Sequence, residues 1–249
     1  MAPQRSGNAQ AQAAAGTAPA LSRELIIRTA LHLLDRRGPQ ALNMRAIAEE
    51  LGVRASALYR HVSGKAGVLA GIRSWIALSV ADPRNEFETL PWDEALRNWA
   101  YRYRGVFAEH PNAVPLLGVT PFTDEAETIA VYEGLVLALT RAGWEPADAL
   151  DIANVFDSFL LGSALDLAAS EEILTAGSVP DAPAFSAAVR LRRERNARGG
   201  VSAAEAAFAA GVDLLLSALR AQEEARGPGS GHSKNPTVRT DSFPITPGI

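Results

Sequence analysis

The chain of 249 residues contains no cysteine. Disulfides, thiol nucleophiles and thiolate zinc cages are therefore excluded, a usage that suits a reducing cytoplasm. Long apolar runs are missing as well. Nothing approaches the roughly 18 apolar residues in a row that a membrane span needs, and the Ala/Gln-rich start has no signal-peptide core. Histidine is sparse, and His32, His61, His110 and His232 show no metal-ligand spacing. Gly64-Lys65 lacks the upstream glycines of a phosphate loop, and Gly227 to Gly231 reads GPGSG, not a nucleophile elbow. These absences lead us to expect no enzyme, no cofactor, no metal site and no membrane association, hence a cytoplasmic protein.

What is present is apolar enough, at 47%, to bury a substantial core. The net charge of −4 hides an asymmetry. Residues 1–80 hold ten Lys/Arg against four Asp/Glu, a balance of +6, which leaves −10 for the remainder. A basic module joined to an acidic body points to a polyanionic partner at one end only.

Within the basic module, residues 43–65 read as two short helices joined at a glycine turn. Asn43 can cap the first helix, with Leu42 and Ile47 at the positions of a hydrophobic staple. Ile47, Ala48 and Leu51 share a face, Gly52 stands where a left-handed residue ends a helix, and Val53 can tuck beneath the turn. Leu58 and Val62 bury a second helix expected over Ala55 to Val62. That helix is too short to be stable alone, so neighbours must hold it. It exposes Arg54, Ser56, Ala57, Tyr59, Arg60 and His61, the arrangement that reading a DNA major groove requires. A supporting helix from Ser22 to Gly38 precedes it, carrying Ile26, Ala30, Leu33 and Leu34. Another from Ser63-Gly64 to Asp82 follows, with Lys65 in its first turn and Val68, Leu69, Ile72, Trp75, Ile76 and Val80 inside.

This stretch, through Met44, Arg45, Ile47, Ala48, Leu51, Gly52, Val53, Leu58, Tyr59, His61, Val62 and Lys65, resembles the helix-turn-helix of the tetracycline-repressor (TetR) family. The resemblance implies that Lys65 and Tyr59 contact phosphates. Arg45 sits in a helix first turn, against the dipole, and suggests a phosphate or base partner. Base reading falls to Arg54, Ser56, Ala57 and Arg60, while His61 supports the turn. Arg54 stands where many relatives carry Ser or Thr as the cap of the reading helix.

Helical periodicity continues from Pro91. Trp92, Leu96, Trp99, Ala100, Tyr103 and Phe107 line one stripe, and Ile129, Tyr132, Val136 and Leu139 line another, in a helix opening at Thr123. A proline-initiated helix from Pro146 carries Phe156, Phe159, Leu160, Gly162 and Ser163. The last long helix opens with a capping box, Ser202 to Glu205, and carries Phe208, Gly211, Leu214 and Leu215. These two segments are expected to pair with a second copy as a four-helix bundle; the alternative is packing within one chain. The arginines at 190, 192, 193, 195 and 198 read as solvated helix surface.

Trp92, Leu96, Arg97, Asn98, Ala100, Arg104, His110, Gly118 and Pro121 are similar to the effector domain of the tetracycline repressors. Ala81, Trp99 and Leu117 stand near positions where those proteins use His, Asn and a metal-binding His, so a magnesium-tetracycline complex is not expected. An apolar lining of Trp99, Tyr103, Phe107, Leu117, Tyr132, Phe156 and Phe159 would take a hydrophobic or aromatic small-molecule effector. The expected organisation is all-α: a disordered arm over 1–20, a helix-turn-helix DNA-binding domain over 21–81, a helical effector-binding and dimerisation domain over 82–225, and a disordered tail over 226–249. The function this implies is a homodimeric repressor that binds a pseudo-palindromic double-stranded operator and releases it when the effector binds. An activator or multi-target regulator with the same DNA contacts, or an interaction module without DNA binding, are the alternatives.

Overall fold

A computed structural model describes residues 20–81, 85–121, 125–169, 174 and 182–226. All of the expected arm but Ala20, all of the expected tail but Arg226, and Thr123 and Asp124, where a helix was expected to open, lie outside them. All regular structure among the described residues is helical. The chain divides into two compact units, one of residues 1–80 and 106–129, the other of residues 81–105 and 130–249.

In the first unit, α1 (Arg23–Arg37) starts where Ser22 Oγ accepts the Leu25 amide at 3.1 Å. It ends at Gly38, whose φ of +77° no β-carbon opposes. Ile26, Ala30, Leu33 and Leu34 are buried along it, as its periodicity demands. α2 (Met44–Glu50) and α3 (Ala55–Leu58) follow, then α4 (Gly64–Val80). α1 and α4 approach closely at Gly71, where a β-carbon would collide with the Ile27 side chain. A larger residue there would force the Ile27 side chain to shift.

Residues 106–129, expected to belong with the second domain, group with the first unit. Long-range polar contacts account for this. His110 Nδ1 meets Asp35 Oδ2 at 2.9 Å, and Asn112 donates to the Leu34 and Asp35 carbonyls. Arg73, 8% exposed on α4, donates to Glu125 at 2.9 Å and to the carbonyls of Leu117 at 3.0 Å and Thr120 at 2.6 Å. Ser74 adds a bond to Glu127.

The second unit contains α5 (Glu86–Thr89), a turn of helix that the sequence pattern did not suggest. The longer helices are α6 (Trp92–Glu109), α8 (Ala126–Arg141), α9 (Pro146–Ala168), α10 (Pro183–Gly199) and α11 (Ala203–Arg226); the short α7 (Val114–Leu117) belongs to the first unit. α6 and α8 each run across the division between units. The core of the second unit is Leu96, Trp99, Leu135, Phe156, Leu160, Phe208, Val212 and Leu216. α11 opens with the expected capping box: Ser202 Oγ accepts the Glu205 amide while Glu205 Oε2 accepts the Ser202 amide and hydroxyl.

Glycine serves two ends here. Gly211 leaves room for the Phe159 ring between α9 and α11, whereas Gly162 is exposed with open space beside it. Both helices expose apolar or small residues, Leu150, Val155, Gly162 and Leu165 on α9 and Ala207, Ala210, Leu214 and Ala218 on α11, interleaved with polar ones such as Asp151 and Asn154 on α9 and Asp213 and Ser217 on α11. Leu214 is 72% exposed.

Candidate nucleic-acid interface

The geometry of residues 43–65 follows from three local devices. Asn43 takes an extended backbone and its Oδ1 accepts the Ala46 amide at 2.9 Å, which starts α2. α2 ends in a Schellman motif: the Val53 amide reaches the Ala48 carbonyl at 2.9 Å, the Gly52 amide reaches that of Glu49 at 3.1 Å, and Gly52 takes φ +66°. Leu42, Ile47, Ala48, Leu58 and Val62 are all buried, and α2 packs against both α1 and α3.

The second helix of the pair is shorter than its pattern suggests. α3 covers Ala55–Leu58, and residues 59–61 form turns instead of a further helical turn. Its start is the expected one, with Arg54 at the cap position making no side-chain cap bond. The shortening lies at the other end, where the Leu58 carbonyl accepts the amides of both His61 and Val62 and so tightens the last turn. Ser56 and Ala57 therefore sit on helix, and Tyr59, Arg60 and His61 sit on the turn beyond it.

Arg45, Arg54, Ser56, Tyr59, Arg60 and Lys65 are exposed, Ala57 and His61 half-buried. Tyr59, at 59% exposure, is not sealed in the core. Its ring edge lies 3.8 Å from where a β-carbon would stand on Gly64, the residue that opens α4 at φ +75°. The phenol thus flanks the helix start that carries Lys65. Arg45 Nε donates to Glu49 Oε1 at 2.8 Å, and the carboxylate holds the guanidinium even more firmly protonated than usual. Arg36 and Arg37 at the end of α1 both reach Glu50, at 3.4 and 3.5 Å. The helix that supports α2 is thereby tied to it, and the exposed cations of 43–65 are left with Glu49 as their acidic neighbour.

The seven residues expected to line an effector cavity are not all in one unit. Trp99, Tyr103, Tyr132, Phe156 and Phe159 belong to the second unit, Phe107 and Leu117 to the first. Trp99 and Phe156 are 1% exposed, and Tyr103, Tyr132 and Phe159 are half-buried. The Tyr103 ring lies 5.1 Å from that of Trp99, and its hydroxyl donates to the Asp157 carboxylate. Phe159 stacks on Phe208 at 5.9 Å.

Two arginines carry weight that sequence reading did not give them. Arg73 is the buried ion pair already described. Arg104 is 6% exposed; its guanidinium lies 4.3 Å over the Phe208 ring and its Nε donates to the Ser163 carbonyl at 3.4 Å. Burial lowers its pKa, against the pull of Glu205 and Asp166. A signal was available for both. Arg104 falls on the apolar stripe of α6 between Ala100 and Phe107, and Arg73 between Leu69 and Ile76 on α4.

Among the described residues no single helix is long and apolar enough to cross a membrane, and no group of three or more His, Asp or Glu side chains could hold a metal ion.

Family models match most of the described chain. Residues 26–72 match that of bacterial regulatory proteins of the tetR family, and residues 83–222 that of the tetracyclin repressor-like C-terminal domain. An HTH-type transcriptional regulator of Saccharopolyspora erythraea is 32% identical over 150 residues, 59% of this chain and 61% of that protein. The Escherichia coli tetracycline repressor protein of class D is 28% identical over 147 residues, 59% of this chain and 66% of that protein. The chain thus spans somewhat under two thirds of the length of these relatives. Among solved structures, a possible TetR family transcriptional regulator from Streptomyces coelicolor A3(2) superposes with a TM-score of 0.62 at 27% identity, covering 81% of this chain and 100% of that one.

Proposed function

The chain belongs to the tetR family of bacterial regulatory proteins, and from that premise we propose that it is a homodimeric transcriptional repressor, working in the cytoplasm, that leaves its operator when a small aromatic or hydrophobic effector binds. The observation that carries this reading is the exposed set Arg45, Arg54, Ser56, Tyr59, Arg60 and Lys65 on a rigidly packed helix-turn-helix. A buried Tyr59 would have removed it.

In this reading Tyr59 and Lys65 hold phosphates on either side of the α4 start, which fixes register without reading sequence. Arg54, Ser56, Ala57 and Arg60 read base edges, with arginine able to grip guanine O6 and N7. Arg45 exchanges Glu49 for a guanine or phosphate on binding. The exposed apolar residues of α9 and α11 meet their copies in a four-helix bundle, which places two reading helices for half-sites about 34–36 Å apart or a multiple of that. Effector binding releases DNA only to the extent that the ligand prefers the conformation unfit for the operator.

The deciding experiment is a gel shift of the full chain against fragments flanking its own gene. A specific complex that survives competitor DNA supports the reading. No retained fragment at low salt, where phosphate contacts are strongest, would leave a family member that does not bind DNA.

A further inference from the structure

The second unit has an imbalance among its buried polar atoms. Among the described residues, each of its buried side-chain polar atoms that meets no hydrogen-bond partner is an N–H donor; Trp99 Nε1 and Arg104 Nη2 on α6 and Trp144 Nε1 ahead of α9 are among them. Among the described residues of the unit no acceptor is stranded in the same way. Leaving a buried donor unmet costs about 1–3 kcal/mol, and more when it is charged, so such a surplus calls for a species rich in acceptors.

Arg104 is the centre of that surplus. Its guanidinium is 94% hidden, spread over the Phe208 ring, with one nitrogen on the Ser163 carbonyl and another unmet. The carboxylates nearest in sequence to its surroundings are committed or outlying. Glu205 is exposed and bound to Ser202, and half-buried Asp166 makes no hydrogen bond to it among those found. Around it the walls are aromatic: Tyr101 meets Phe208 edge-on at 4.7 Å and Phe159 stacks on its ring. A guanidinium on an aromatic face, short of one acceptor, is suited to an oxyanion borne on a flat apolar ligand.

We propose that the effector of this protein is an aromatic acid, whose carboxylate meets Arg104 Nη2. This rests on the effector-binding reading above and names the chemical class for it. Glu205 and Asp166 act on the charge of Arg104 from nearby, so what the ligand supplies is the missing acceptor at Nη2; a neutral carbonyl is a weaker acceptor than a carboxylate, and an amine would add a donor to donors.

The test uses the full chain and three planar acids of increasing size, benzoate, 2-naphthoate and anthracene-2-carboxylate, each titrated calorimetrically beside its own primary amide. At least one acid binds about tenfold or more tightly than its amide, the worth of one charge-assisted hydrogen bond. Arg104→Gln removes that preference and leaves the amide affinity where it was; Arg104→Lys keeps part of it. Acids that bind no better than amides overturn the assignment of class while leaving an effector site in place. Binding of neither series overturns it and counts against the effector reading too. A preference that persists in a helical Arg104→Gln protein also overturns it. If that variant fails to fold, the wild-type ratio and Arg104→Lys still decide.

Discussion

At the scale of single residues, Lys65 and Arg73 illustrate opposite uses of a cation on one helix. Lys65 is exposed at the start of α4, so removing it should leave folding untouched. Lys65→Ala should weaken operator binding equally for all sequences and reduce the salt slope of log affinity by about one unit; a filter-binding titration at several salt concentrations reads both. An unchanged slope removes Lys65 from the phosphate contacts. Arg73, eight residues along, is buried with Glu125 beside it, 9% and 8% exposed at their side chains. Its removal strands a carboxylate in the core. Arg73→Met should therefore cost about 3–5 kcal/mol, measured as a shift in urea midpoint, while the double change with Glu125→Leu should recover much of it.

At the scale of elements, most helix boundaries are set by neighbours in sequence and are legible there. Asn43, Gly52-Val53, Pro146 and the Ser202–Glu205 box each act within five residues, and each terminates or starts a helix as its chemistry implies. Pattern alone fails where the partner is distant. Nothing near Arg73 in the chain announces Glu125, and nothing near α6 announces that Arg97 meets Asp213 at 2.7 Å or that Asp93 meets Arg220 at 2.6 Å on α11. The overlong estimate for α3 has a local cause, since Leu58 and Val62 keep helical spacing although the backbone between them turns. The capping box also carries a pH dependence. The Ser202 amide and hydroxyl hold the Glu205 carboxyl below the ordinary glutamate range. Its contribution is thus complete at neutral pH and is lost as pH falls through that lowered value. Glu205→Gln should flatten the decline in stability between about pH 5 and pH 3, seen in urea melts; an unaltered acid limb would show that the box is not coupled to unfolding.

At the scale of the whole molecule, charge and oligomerisation bear on the same outcome. The first 80 residues carry +6 and the rest −10, so a polyanion is attracted to one part of each subunit and repelled by the other. In the proposed dimer, two such basic parts would act at high effective concentration on two half-sites. Leu214→Glu places a charge on the most exposed apolar position of α11. The variant should keep its helical circular dichroism, sediment as a monomer and bind operator about a hundredfold more weakly. A dimer of unchanged affinity would move the interface elsewhere.

The first unit is not contiguous in sequence, since it needs residues 106–129 as well as the first 80. Anyone grafting residues 1–80 onto a relative's body, or trimming the polypeptide to them, would cut between Arg73 and its carboxylate. A chimera joined near residue 81 inherits a cation whose counter-charge must come from foreign sequence, so the transplantable cassette is two segments, and compatibility at position 125 decides which bodies will accept it.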